Sequence, residues 1–281
     1  MTITINPLSP ALGAEILGLD LHAPLDAQTV KKIRRVWLDH LVILFRDQKL
    51  KQDELVRFTS YFGTPAKRAS PKGAQTIGQA NLHPNLMLIS NIRENGVPIG
   101  SLPDGEIEFH HDMIFRDVPS TASILYAVET PAYGGDTMFA NCYAAYETLT
   151  EEVREKLEQR CAYHHYHFNS THKGDERGTK AFAESIHPVF RTHDETKRKA
   201  VYVNRLITDY IVDMPRAESD ALLAHVFDHC EREDFLYRHV WQVGDVLMWD
   251  NRCSMHARTN FSSVDRRLMW RSTVEGLKKP L

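Results

Sequence analysis

Cysteine is scarce in this chain: four residues in 281, Cys142, Cys161, Cys230 and Cys253, with no CxxC pair among them. That excludes a disulfide framework and a cysteine-ligated zinc site, both of which need closer spacing, and reads as reduced thiols in a cytoplasmic protein. Charge of one sign is also missing. Lys+Arg 34 against Asp+Glu 37 leaves a formal net charge of −3, so no basic field exists to hold a nucleic acid. No apolar run is long enough to span a bilayer, and the opening MTITINPLSPALGAEI lacks the charged and apolar regions of a signal peptide. Repeats, heptads and low-complexity tracts are absent. With 42% hydrophobic and 25% charged residues, the expectation is an ordinary soluble globular protein, with residues 1–281 as one domain.

Histidine, by contrast, is plentiful. Fifteen are present, several clustered: His110-His111, His164-His165-x-His167, His187, His193 and His256. Imidazole is the commonest metal ligand and the usual acid–base group near neutral pH.

The order of elements comes from periodicity. Residues 1–65 read as strand, strand, helix, strand, helix. In 28–40 a stripe of Val30, Ile33, Val36 and Trp37 marks a helix with Asp26 as cap. The run Leu41–Phe45 suits a buried strand, and Gln52 to Phe62 a helix closed by Gly63. The stretches 66–105 and 169–185 are expected to be active-site loops or a lid. Strands are expected in 106–115, TASILYAVE and GGDTMFAN, and a helix over 146–160 with Thr148 and Glu151 as a capping box. Further strands fall near 187–191 and 200–204, and helix 216–230 should turn Ala221, Leu222, Val226 and Phe227 inward. The last strands are GDVLMWDN and RRLMWRSTVEG. Helix 216–230 and Phe235-Leu236-Tyr237 offer either core or the interface of a homo-oligomer, a dimer or tetramer. Short strands with inserted helices predict an α+β chain with a mainly β core, a barrel or jelly roll wrapped by helices.

On a strand over 106–115, side chains alternate, so His110 and Asp112 share a face and His111 takes the other. Such a His-x-Asp pair is either a surface pair or two ligands of one metal. Two His and one carboxylate make the facial triad of non-haem Fe(II) oxygenases, and His256, after the strand GDVLMWDN, is the candidate third ligand. In the final strand Arg267, Met269, Arg271 and Thr273 share one face, and Leu268, Trp270, Ser272 and Val274 the other. The arginines are solvated if the Leu/Trp face is core, or they line a cavity and clamp a carboxylate. Periodicity does not choose.

Six stretches in order, LVILFRDQ (41–48), FHHD (109–112), GGDT (134–137), HPVFRTH (187–193), WDNRCSMH (249–256) and RRLMWRSTVEG (266–276), resemble the taurine / 2,4-dichlorophenoxyacetate dioxygenase family of Fe(II)/2-oxoglutarate enzymes. The resemblance implies a double-stranded β-helix (jelly roll) with flanking helices. It implies His110, Asp112 and His256 as the iron ligands. Thr137 and Arg267, the latter 11 residues after His256, correspond to the residues that hold the distal carboxylate of 2-oxoglutarate. Arg271 corresponds to an arginine that meets the substrate's anionic group, Phe115 to a pocket wall, and Trp249-Asp250-Asn251 to a structural strand. Asn91, His83 and Arg93 are weaker pocket candidates. With a carboxylate at 112 the implied chemistry is hydroxylation of a small anionic organic substrate by O₂ and 2-oxoglutarate, with succinate and CO₂ as coproducts. The substrate would be a sulfonate, sulfate ester, aryloxyalkanoate or similar carboxylate. Glu106, four residues before His110, argues against taurine by repulsion. A zinc hydrolase or a non-catalytic jelly-roll binding protein are the rival readings. The His164/His165/His167 group is expected at the surface or pocket rim.

Overall fold

The computed structural model describes residues 3–68, 78, 80–101, 105–167, 170–174 and 183–281. Within them the chain is mixed α and β, mainly β, with five α-helices. A seven-stranded sheet runs in the order Thr4–Pro7, Ala14–Leu17, Val42–Phe45, Val246–Asp250, Ala122–Glu129, Leu268–Val274, Leu86–Ser90. A four-stranded sheet runs Leu236–His239, Thr137–Asn141, Ser254–Arg258, Ile107–His110. All pairings in these two sheets are antiparallel except Ala14–Leu17 with Val42–Phe45.

The strand sequences explain the layering. In Val42–Phe45, Val42 and Leu44 enter a core shared with Phe139, Ala140 and Met255 of the smaller sheet. Ile43 and Phe45 enter a second core with Ile33 and Trp37 of helix Ala27–His40 and Leu55 and Phe58 of helix Gln52–Ser60. A strand covered on both faces needs no polar alternation, hence the unbroken apolar run. Val246–Asp250 divides the same way, Leu247 and Trp249 to one side, Val246 and Met248 to the other. The open question in the final strand is thereby answered. Met269 lies in the core shared by the sheets while Leu268, Trp270 and Val274 pack on the helix side. Both faces are covered, and the arginine face is the inner one.

Asp26 caps the first helix as expected, accepting from the Thr29 amide at 2.8 Å. Other expectations need correction. The strand expected over 106–115 is only Ile107–His110, and the chain then turns, with Met113 at φ 61°. The helix expected over 146–160 is two, Cys142–Thr148 and Glu151–Leu157, and the second is capped by Thr150, not Thr148. Helix Arg216–Cys230 buries Ser219, Leu223, Val226, Phe227 and Cys230, a stripe that leaves Ala221 exposed. Phe235 and Tyr237 belong to the core, with Leu236 packed against it. Much of the expected loops 66–105 and 169–185 lies outside the described residues. The described part of the first holds strand Leu86–Ser90 and the hairpin Arg93–Glu94/Val97–Pro98. His164 is fully buried in a third sheet, its Nδ1 3.0 Å from Thr208 Oγ1, and so is no surface residue. No described helix is long and apolar enough to cross a membrane.

Candidate active site

Strand pairing brings the distant histidines together. His256 and His110 are direct partners across adjacent strands, their rings 4.2 Å apart. The turn after His110 then returns Asp112 to them. One potential ligand atom from each of His110, Asp112 and His256 lies within 4.8 Å of the others. His110 and Asp112 come together as expected, although the strand itself ends at His110 and Asp112 opens the turn that follows. His111 does point away, as expected. It is buried against Tyr202, hydrogen-bonds with Asn204, and burial followed by the His110 charge pushes its pKa down to about 3.

The protonation states suit a cation. Burial holds His110 and, more strongly, His256 below the ordinary imidazole range, so both are neutral at pH 7. Burial alone would push the Asp112 carboxyl up. The Arg271 guanidinium, then the imidazoles and the Ser123 hydroxyl outweigh it and keep the group ionised. Ser123 Oγ donates to Asp112 Oδ2 at 2.6 Å and Arg271 Nη1 to Oδ1 at 3.1 Å. His110 Nδ1–H donates to the Glu108 carbonyl at 2.9 Å, which leaves the Nε2 lone pair for a ligand bond. His256 Nδ1 is buried with no hydrogen-bond partner. Two neutral imidazoles, one carboxylate and an orphaned ring nitrogen fit a divalent metal of the kind a two-His, one-carboxylate set binds.

Arg267 immediately precedes the final strand and is 2% exposed. Its side chain passes over Gly135, where a Cβ would stand 3.4 Å from Arg267 Cδ and Nε. Nε has no partner, and burial, helped by the neighbouring Arg258, pushes the pKa down to about 9, so the group is still charged at pH 7. Thr137 is buried, and its Oγ1 accepts from Trp241 Nε1 at 3.0 Å. An oxygen used that way keeps its own proton to donate.

A cavity of about 440 Å³ is lined by His110, Asp112, Arg271 and Phe115 among others. Phe115 stacks on Tyr166, ring centroids 4.8 Å apart. His256, Thr137, Arg267 and Asn91 are not among its described lining residues. Asn91 instead accepts from the Arg267 amide and donates to the Asp265 carbonyl, bracing the strand entry. Its side chain is thus engaged with the backbone around Arg267 rather than set on the described cavity wall. His83 binds Gln52 and Asn85 through backbone and ring contacts, and Arg93 lies in an exposed hairpin; neither lines the cavity. Glu106 is exposed and is not among the described lining residues.

The residues that sequence reading missed are Ser123, Trp241 and Arg258. Ser123 had a signal: a hydroxyl in the apolar strand Ala122–Glu129, 0% exposed. Trp241 had none. A second cluster with metal-like proximity, His193, Asp250 and Cys253, is already satisfied. His193 Nε2 donates to Asp250 Oδ2 at 3.0 Å, its Nδ1 accepts from the Glu195 and Thr196 amides, and Arg252 pairs with Asp250. It braces the turn that leads to His256.

The two sheets and the converging His110, Asp112 and His256 define a candidate metal-binding enzyme. The family model described as taurine catabolism dioxygenase TauD, TfdA family matches residues 4–273, and the chain belongs to that family. It is 32% identical over 286 residues to the alpha-ketoglutarate-dependent 2,4-dichlorophenoxyacetate dioxygenase of Cupriavidus pinatubonensis, covering 98% of each chain. A taurine dioxygenase from Burkholderia xenovorans superposes with a TM-score of 0.81 at 30% identity, over 99% of this chain and 92% of that one. The structure of AAD-2 with Mn(II) and N-oxalylglycine superposes at 0.80 with 27% identity over the whole of both chains.

Proposed function

We propose that this protein is an Fe(II)- and 2-oxoglutarate-dependent dioxygenase that hydroxylates a small organic anion and releases succinate and CO₂. The observation that carries this is the convergence of His110, Asp112 and His256 on one point in a chain of this family. We read the two facing sheets as the jelly roll of these enzymes, with residues 1–281 as one catalytic domain.

His110, Asp112 and His256 would hold the iron, which with O₂ supplies oxidation of a substrate C–H coupled to decarboxylation of 2-oxoglutarate. Arg267 would grip the distal carboxylate of the oxo acid, and Thr137 would donate its hydroxyl proton to the same group, fixed in that role by Trp241. Arg271 would keep Asp112 ionised and present its remaining donors to the substrate anion. Cations on the cavity wall, Lys67, Arg68, Arg116 and Arg271, outnumber the acids Asp112 and Glu275, which favours an anionic substrate. Phe115 and Tyr166, with Ile107, Leu206 and Ile207, form an apolar wall that suits an aryl or alkyl body.

The test is a panel of aryloxyalkanoates, alkyl sulfates and sulfonates, read as succinate formed with Fe(II), O₂ and 2-oxoglutarate. The reading expects substrate-dependent succinate for at least one anionic class. Substrate turnover indifferent to 2-oxoglutarate and O₂ would contradict it.

A further inference from the structure

Strand Ser254–Arg258 pairs with Thr137–Asn141 so that His256 faces Phe139 and Arg258 faces Thr137. Residues two apart on a strand share a face. Arg258 therefore sits on the same inner face as the metal-ligating His256 and directly opposite the threonine assigned to the cosubstrate. It is 5% exposed, and its Nε donates to the Gly105 carbonyl at 3.0 Å, which fixes the direction of the side chain.

Arg258 and Arg267 address the same aromatic ring. Their guanidinium carbons lie 5.2 and 5.9 Å from the centroid of Phe261. The Arg258 charge is felt at Arg267. The acid that offsets Arg267 is Asp136. Its Oδ2 is already taken by Arg238, whose Nε donates at 2.7 Å and Nη2 approaches to 2.6 Å. A carboxylate placed beside both guanidiniums would offset their mutual repulsion.

We propose that Arg258 is a second guanidinium for the distal carboxylate of the cosubstrate, and that it makes the pocket selective for a dicarboxylic over a monocarboxylic 2-oxo acid. This rests on the reading of Arg267 and Thr137 given above. A residue that merely ties down Gly105 would affect all oxo acids alike, whereas a carboxylate ligand affects only those with a second carboxylate.

The experiment is calorimetric titration of the Mn(II)-loaded protein with 2-oxoglutarate and, separately, with pyruvate, for wild type, Arg258→Gln, Arg258→Lys and Arg267→Gln. Arg258→Gln is expected to weaken 2-oxoglutarate roughly tenfold or more while changing pyruvate less than about twofold, and Arg258→Lys to recover part of the loss. Should Arg258→Gln not fold, Arg258→Lys alone must still show a loss confined to 2-oxoglutarate. Equal weakening of both acids, or none, with Arg267→Gln still selective, would overturn the role of Arg258 and leave the function standing. An Arg267→Gln protein that binds 2-oxoglutarate normally would overturn the pocket itself, and this inference with it.

Discussion

Asp112 is a carboxylate taken out of water that nevertheless stays charged. Arg271, two imidazoles and the Ser123 hydroxyl achieve this together, and each is placed by a different strand. Asp112→Ala should abolish Mn(II) binding and 2-oxoglutarate turnover while the circular dichroism spectrum stays native. Ser123→Ala should weaken metal binding by about 10- to 100-fold, because it removes the partner that orients a ligand. Arg267→Ala should raise the KM for 2-oxoglutarate by roughly 10- to 100-fold with little change in kcat, as expected for loss of a charge-assisted contact. At this scale the sequence was informative about residue type and misleading about placement. The period-2 pattern separated His110 from His111, but the strand stops at His110 and the turn that begins at Asp112 carries Met113 at positive φ, which no periodicity announces. Asn91 shows the opposite difficulty. A polar residue near the site looks the same in sequence whether it meets a ligand or, as here, braces the backbone of Arg267.

Elements covered on one face were read with fair boundaries, and so were the strands covered on both, because an apolar run four or five residues long suits only a strand in a middle layer. The boundaries that failed lie where capping chemistry competes: Thr148 and Thr150 both suit a helix start, and the local geometry chose Thr150. The GGDT turn shows what an element contributes to the pocket. Gly134 has φ +74°, and a Cβ there would come 2.3 Å from the Asn260 carbonyl oxygen, beside the bridge to Phe261. Gly134→Ala should therefore lower folding stability by roughly 1–3 kcal/mol, measured by urea unfolding. It should also weaken 2-oxoglutarate binding, since Phe261 stands beside both Arg258 and Arg267. Unchanged stability would show that the turn can relax around the added methyl.

The whole molecule carries several imidazoles that burial keeps neutral, among them His111, with a pKa of about 3, His164 and His187. Unfolding exposes them to water, where they take up protons below about pH 6.5. Stability is thus complete above that pH and falls as the pH drops toward the depressed folded values, at about 1.4 kcal/mol per pH unit for each such group. Urea midpoints of the metal-free protein should decline between pH 7 and pH 5, and a flat profile would contradict the burial of these rings. The histidine count pointed to a metal site, and two of the histidines do converge with Asp112. It did not foretell that most of the other clustered histidines are interior hydrogen-bonding groups, because burial is a property of the assembled sheets.

The central claim is that three side chains from distant parts of the chain make one iron site that couples 2-oxoglutarate to substrate oxidation. Its most direct test is succinate release by the Fe(II)-loaded protein under O₂, compared with His110→Ala, Asp112→Ala and His256→Ala proteins shown to be folded. Substrate-stimulated succinate from the wild type and none from the three variants is the predicted result. Undiminished release from any one of them would contradict it.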